Sequence, residues 1–171
     1  DGKSQSNAKT PSPTTSTKPE PQTEPIDTDT DAEKEKPLSE STKLLIAQAE
    51  KGDADAAEKL GDMYYVGFGG VSRDGKESVK WYRKSADGGN AMAQATLAGY
   101  FLMGDIVKQD PVTAWAWANI AFENGSIAAE FLRDGIREKS TTPMTAEQIA
   151  KAKALSKEMI KNNPKLIKKE E

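Results

Sequence analysis

The sequence predicts an all-α protein: a right-handed α-solenoid of antiparallel helix pairs behind a disordered N-terminal tail. Three observations carry this. First, the stretch LGDMYYVGFGGVSRDGKESVKWYRKSA, from Leu60 to Ala86, returns in altered form as LAGYFLMGDIVKQDPVTAWAWANIAF, from Leu97 to Phe122. Leu60 aligns with Leu97, Tyr64 with Phe101 and Gly67 with Gly104. After a one-residue slip, Asp74 aligns with Asp110, Ser78 with Ala114 and Trp81 with Trp117, a period of 36 to 37 residues. Self-similarity at that length marks stacked supersecondary units. Second, apolar residues outside these stretches recur at helical spacing. Third, the first 38 residues differ sharply in composition from the rest.

Residues 1–38 hold six of the nine prolines, and Ile26 is almost their only large apolar side chain. Such a stretch buries too little apolar surface to offset the entropy of ordering it. It reads as a tether, spanning about 35 Å if it behaves as a flexible coil. Folding starts near Ser39. Ser39 or Ser41 caps a helix whose apolar positions are Leu44, Leu45, Ala47 and Ala49. Gly52 ends it and Asp53 starts a second helix to about Val66, with Ala57, Leu60, Met63 and Tyr64 inward. Gly61 lacks the bulk to hold a neighbour away. The loop GFGGVSRDG follows, with Val71 as the plug beneath it, and Asp74 stands where the next helix needs an N-cap. That helix, about Gly75 to Asp87, turns Val79, Tyr82 and Ala86 inward, with Trp81 beside them. Gly88-Gly89-Asn90 is a stop and a restart.

The second unit repeats the plan. A helix over 91–103 carries Ala93, Leu97, Tyr100 and Phe101, and Gly104 ends it. Val107 takes the place of Val71. Asp110 caps a helix with Pro111 at its first position, where the missing N–H costs nothing. This helix runs to about Asn124, and Gly125 stops it. A third unit opens with Ile127, Ala128, Phe131 and Leu132 as its apolar face and then departs from the pattern. After the turn EKSTTP, Thr145 and Gln148 form a capping box and Met144 staples onto Ile149. The last helix runs to about Lys161, with Ile149, Ala152, Leu155, Met159 and Ile160 on one face and Lys151, Lys153, Lys157 and Lys161 on the other. A polar-faced terminal unit keeps a solenoid from stacking end to end. The expected layout is a tether over 1–38, a repeat domain over 39–163 and a charged tail over 164–171.

Composition narrows the function classes. Residues 1–43 carry nine acids and six lysines, leaving 18 acids and 18 bases in the rest, so the folded part is balanced. A nucleic-acid footprint needs clustered basic charge. There is no cysteine and no histidine, which removes thiol chemistry, the usual general base and the commonest metal ligand. No apolar run reaches the roughly 18 residues that span a bilayer. The chain begins at Asp1 without a methionine, which fits either a removed export signal or a boundary set elsewhere; the Thr/Pro-rich tether leans towards export, periplasmic, lipid-anchored or secreted, with a cytoplasmic setting as the alternative.

The pattern Leu-Gly-x-x-Tyr-x-x-Gly, then Gly-x-x-x-Asp, then a small residue and Trp-Tyr-x-Lys-x-Ala, resembles the Sel-one-like repeat (SLR), a relative of the tetratricopeptide repeat (TPR). The first copy is Leu60, Gly61, Tyr64, Gly67, Gly70, Asp74, Ser78, Trp81, Tyr82, Lys84 and Ala86; the second is Leu97, Phe101, Gly104, Val107, Asp110, Ala114 and Trp117. The resemblance covers residues 40–162. Departures are an extra glycine in GFGGV, Ser78 for alanine, Ala98 for glycine and Phe101 for tyrosine. The resemblance implies a non-catalytic scaffold that binds a protein or peptide, with no cofactor and no metal. The repeat residues are architectural, so no catalytic set carries over.

Individual features weigh the same way. Asp74 and Asp110 could pair as acid and base, but each sits at a helix start, where a carboxylate accepts backbone N–H groups. The acidic run Asp27-Asp29-Asp31-Glu33-Glu35 lacks the glycine and closing glutamate of a calcium loop. The glycine-rich loop lacks the lysine and Ser/Thr of a phosphate loop. Trp81 and Trp117 hold equivalent repeat positions and read as packing. Trp115 lies roughly 200° around the helix from Trp117 and reads as the exposed aromatic. In TPR-like folds the first helix of each pair lines the concave side. This makes Asp55, Glu58, Asp62, Met92, Gln94 and Thr96, with Trp115, the expected partner contacts. Two other readings stand beside this one: an envelope structural protein that touches wall polymer or an anionic membrane through the lysines of the last helix, and, less favoured, a carboxylate-based hydrolase.

Overall fold

Why these residues form helices is visible at the helix ends. The computed structural model describes residues 37–138 and 143–168, all within one unit, Glu33–Glu171. The expected tether lies outside the described residues except for Pro37 and Leu38. Seven α-helices are described: α1 Glu40–Glu50, α2 Ala54–Val66, α3 Gly75–Asp87, α4 Ala91–Met103, α5 Pro111–Glu123, α6 Ile127–Glu138 and α7 Ala146–Asn162. A 3-10 turn, Pro164–Leu166, follows. No strand occurs among the described residues.

Side chains just ahead of all seven helices take up otherwise unpaired backbone donors; ahead of α6, Ser126 accepts from Ala129 N at 3.3 Å. Ser39 accepts from Thr42 N at 3.1 Å. Asp53 accepts from Asp55 N and Ala56 N, both at 3.0 Å. Asp74 accepts from Lys76 N at 2.8 Å and Glu77 N at 3.0 Å, and Asp110 from Val112 N at 3.0 Å and Thr113 N at 3.2 Å. Asn90 caps α4, and Thr145 with Gln148 closes a capping box on α7. At the other end, Gly67 and Gly104 stop α2 and α4 at φ 83° and 78°, a left-handed conformation that glycine adopts without a Cβ penalty.

The hairpins α2/α3 and α4/α5 are the two repeats, and each is closed by small residues. A Cβ added at Gly61 would stand 2.9 Å from the Tyr82 ring, so only glycine lets α3 approach α2 this closely. Ser78 Oγ donates to Gly61 O at 2.8 Å. In the second repeat the equivalent places hold Ala98, Ala114 and Ala118, all fully buried. Successive hairpins stack: α3 packs on α4, α5 on α6, and α7 returns to pack on α5. The main core gathers around Trp115, Trp117, Leu97, Tyr100, Tyr82, Ile120 and Ile136; a smaller cluster of Ala49, Ala56, Ala57 and Leu60 joins α1 to α2.

Three expectations are corrected. In α1 the buried side chains are Thr42 and Ala49, while Leu44 is 60% exposed and Ala47 is exposed as well. The helix is short, touches mainly α2, and anchors through Thr42, whose Oγ1 donates to Gly69 O at 2.7 Å. In α6 the expected apolar residues are mostly turned out: Ile127 and Phe131 are 70% and 74% exposed and Ala128 is exposed, while Leu132 packs on the main core beside the buried Ile136. In repeat register, the places of Leu97 and Phe101 fall on Arg133 and Arg137, so the face that would receive a pairing helix is charged. Finally, residues 164–167 are not a detached tail. Leu166 is 2% exposed, its carbonyl accepts from Gln94 Nε2 at 2.8 Å and from Asn124 Nδ2 at 2.6 Å, and Asn163 Nδ2 donates to Asp87 O at 2.9 Å. This segment straps both inter-repeat turns together.

Candidate functional site

The first helices of the hairpins, α2 and α4, and then α6, present equivalent positions along one face. Ala54, Ala91 and Ile127 form one rung of this ladder; Asp55, Met92 and Ala128 the next; then Glu58, Ala95 and Phe131; then Asp62, Gly99 and Gly135. None of these positions is buried: Asp55, Asp62, Met92, Ile127, Ala128 and Phe131 are exposed and the others partly so. The ladder changes character from one end to the other. On α2 it is acidic, on α4 small and apolar, and on α6 apolar with one aromatic ring.

Local contacts fix this face. Asn90 Nδ2 donates to Asp55 Oδ1 at 2.8 Å, tying the start of α4 to α2. Tyr82 reaches through from α3, past Gly61, and its hydroxyl donates to Asp62. Its ring meets Tyr100 edge-on at 5.8 Å, and Tyr65 stands 6.1 Å from Tyr100 on the other side. Burial and the hydrogen bond to Asp62 hold the Tyr82 hydroxyl well above the ordinary phenol range. Partial burial raises the Glu58 carboxyl, and the charges of Asp62 and Asp55 push the same way, against a smaller pull from Lys59. Thr96 turns its hydroxyl back to Met92 O at 3.0 Å, and a Cβ added at Gly99 would meet only Met103 Cε, at 3.9 Å. The middle of the face is therefore shallow and open.

Of the expected contacts, Asp55, Glu58, Asp62, Met92 and Thr96 share this face, and Met92 is 62% exposed. Gln94 and Trp115 do not. Gln94 is fully buried: its amide donates to Ala86 O and Leu166 O and accepts from Asn124 Nδ2 at 2.8 Å, because the returning C-terminal segment covers it. Trp115 is 4% exposed, since α5 lies between α4, α6 and α7 and has no free side. The 200° argument presumes one solvent face. The signal against it is that no charged residue occurs between Pro111 and Phe122, and a helix apolar all round is a buried one. Phe131 and Ile127, which open the third unit, are the most exposed apolar side chains of the face. Their register in the third unit is what marks them.

A second concavity, of about 440 Å³, opens at the loop end between Tyr65, Arg73, Lys76 and Ile106. Its two carboxylates are occupied locally: Asp74 caps α3, and Asp105 Oδ1 accepts from Ile106 N at 2.9 Å. No pairing of nucleophile with base lines it. Among the described residues no group of three or more acidic side chains could hold a metal ion, and no helix is long and apolar enough to cross a membrane.

Comparison with known proteins agrees with this architecture. The Sel1 repeat family model matches residues 54–90 and 91–126. The chain is 34% identical over 65 residues to the ERAD-associated E3 ubiquitin-protein ligase component HRD3A of Arabidopsis thaliana, covering 38% of this chain and 10% of that protein. It is 33% identical over 93 residues to the chitin synthase regulator SKT5 of Malassezia restricta, covering 53% of this chain and 6% of that protein. The chain thus spans a tenth or less of either relative. Among solved structures it resembles a protective antigen of uropathogenic Escherichia coli strains with an SLR fold, at TM-score 0.65 and 30% identity over 74% of this chain and 26% of that one. A Sel1 repeat protein from Oxalobacter formigenes matches at TM-score 0.55 and 25% identity, over 72% of this chain and 97% of that one. Sel1 repeat proteins generally act as non-catalytic scaffolds for protein–protein interaction. Residues 54–126 thus match two consecutive Sel1 repeats, and the chain resembles Sel1 repeat proteins in sequence and fold.

Proposed function

We propose that this chain is a non-catalytic interaction module that holds a protein or peptide on the ladder face of α2, α4 and α6. The observation that carries the reading is the combination of Met92 and Phe131, 62% and 74% exposed, on either side of the open floor at Ala95 and Gly99. Large apolar side chains exposed on adjacent rungs of a rigid repeat scaffold suit an interface, where a few anchors supply most of the affinity. We place the module in an exported, envelope-associated setting. The likeness to a protective antigen of Escherichia coli supports this, as does the Thr/Pro-rich tether.

The test is capture from an envelope extract of the source organism with the full chain as bait. A Met92→Asp/Phe131→Asp double variant, with an unchanged thermal transition, is the control. A protein retained by the native bait and lost by the control is the expected result. Equal retention by both baits removes the ladder face from the function. A second reading rests on Lys151, Lys153, Lys157 and Lys161, exposed along α7. If it holds, the chain binds anionic vesicles or wall preparations in a salt-sensitive way, and changing these lysines to glutamine abolishes that binding.

A further inference from the structure

We infer that the partner segment held on the ladder face is a basic peptide with an apolar anchor: one or more Lys or Arg side chains seated against α2, followed by an aliphatic or aromatic side chain seated between Met92 and Phe131. The inference rests on the interaction reading above and specifies its ligand class. The face is a shallow apolar strip bordered on one side by charge. Its apolar part is Met92, Ala95, Ile127 and Phe131, and its floor is open at Gly99. Its charged border is Asp55, Glu58 and Asp62, three carboxylates spaced along one side of α2.

No ion pair is recorded for any of the three among the described residues. Asp55 and Asp62 accept only neutral donors, Asn90 Nδ2 and the Tyr82 hydroxyl. These contacts fix the carboxylates in place without neutralising them. Partial burial raises the Glu58 carboxyl first, and the neighbouring charges of Asp62 and Asp55 add to it. A cation brought to this border relieves the repulsion, whereas an acidic peptide increases it. Equivalent rungs on α4 and α6 carry no charge at all, so the charge preference is confined to one end of the strip. That asymmetry sets direction: the basic part of the segment lies over α2 and its anchor over α4 and α6.

Panning a random 12-residue phage-displayed peptide library on the immobilised full chain tests this. The selected sequences are then resynthesised with a fluorophore and measured by anisotropy. The expected outcome is enrichment of Lys or Arg beside a Leu, Phe or Trp. Binding should weaken about tenfold in Asp55→Asn/Asp62→Asn and to a similar extent in Phe131→Ser, with a further loss at high salt. Glu58→Gln, which touches no structural hydrogen bond, is the independent check should the double variant fold poorly. Selected peptides without basic enrichment, lost with Met92→Asp but indifferent to the α2 variants, overturn the ligand class and leave the interaction face standing. Peptides indifferent to Met92→Asp and Phe131→Asp as well, or no selected peptides, overturn both.

Discussion

The two repeats share a backbone plan and fill it differently. In the first, glycine at 61 faces tyrosine at 82, serine at 78 bonds across to Gly61 O, and α3 keeps an exposed outer side with Lys76, Lys80 and Lys84. In the second, Ala98 and Ala118 share the same space more evenly, and every residue from Ala114 to Ala118 is buried. Position in the stack explains the contrast. The first repeat has only the short α1 before it, whereas α5 is covered by α4, α6 and α7. A repeat is thus a fixed frame whose filling records what lies next to it.

The sharpest way to break the comparison is at its equivalent tryptophans. Trp117 is 1% exposed in the main core; Trp81 is half-buried beside the smaller cluster. Trp117→Ala should cost about 3–5 kcal/mol and Trp81→Ala distinctly less, because the cavity left at an edge refills with solvent or collapses. Urea unfolding of both variants measures this. Equal losses would mean the two repeats are equally central. Neither loss includes a hydrogen bond, since the buried indole N–H of each has no protein partner.

Gly61→Ala comes next. The added Cβ would meet the Tyr82 ring at 2.9 Å, so overpacking of about 1–3 kcal/mol should exceed the gain in helix propensity. Adding Tyr82→Ala copies the second repeat's Ala98/Ala118 pair. The double variant should then cost less than the sum of the two single ones, with a coupling of about 1 kcal/mol or more. Strict additivity would show that the glycine is not there to admit the tyrosine.

What was legible in the sequence follows from how local each signal is. Asp74, Asp110 and the Thr145–Gln148 box cap helices because a few neighbouring residues suffice to define a cap. The solenoid was legible because its period is written twice. Gln94 was not, since its burial depends on a chain segment returning from Leu166, 72 residues away. Trp115 was misjudged for the same reason: α7 packs on α5 from beyond a turn. Phe131 and Ile127 keep a helical spacing that imitates a core face. Only the arginines at 133 and 137, standing where Leu97 and Phe101 stand one repeat earlier, show that the pairing helix is replaced there.

The strap invites a variant that removes its polar contacts and keeps the volume. Gln94→Leu removes one of two donors at both Ala86 O and Leu166 O, which keep Gly89 N and Asn124 Nδ2, and should cost about 1 kcal/mol. Hydrogen exchange should quicken at Lys168 N, which donates to Asn124 Oδ1 within the same network, before it quickens in α3. The first repeat has Ala57 at this position, so Ala57→Ser is the matched control and should leave the strap protected. Unchanged exchange at Lys168 in Gln94→Leu would mean that apolar burial of Leu166 alone holds the segment.

The smallest expected difference lies between the two equivalent caps. Asp74 accepts two backbone N–H groups; Asp110 accepts two and also the Thr113 hydroxyl at 2.7 Å. Either aspartate changed to alanine should cost about 1 kcal/mol, Asp110 the more. Partial burial pushes the Asp110 carboxyl up, but the hydrogen bonds from the Thr113 side chain, Thr113 N and Val112 N outweigh it and hold the group below its ordinary value. Its folded pKa is thus lower than its unfolded one. The stabilisation it gives is present above the unfolded value of about 4 and fades as pH falls through the folded value. Unfolding free energies of wild type and Asp110→Ala should therefore converge in acid, and Asp110→Asn, which keeps the acceptor, should cost only a few tenths of a kcal/mol at neutral pH. A gap between wild type and Asp110→Ala that stays constant into acid would show that the carboxyl caps α5 as a neutral acceptor and contributes nothing through its charge.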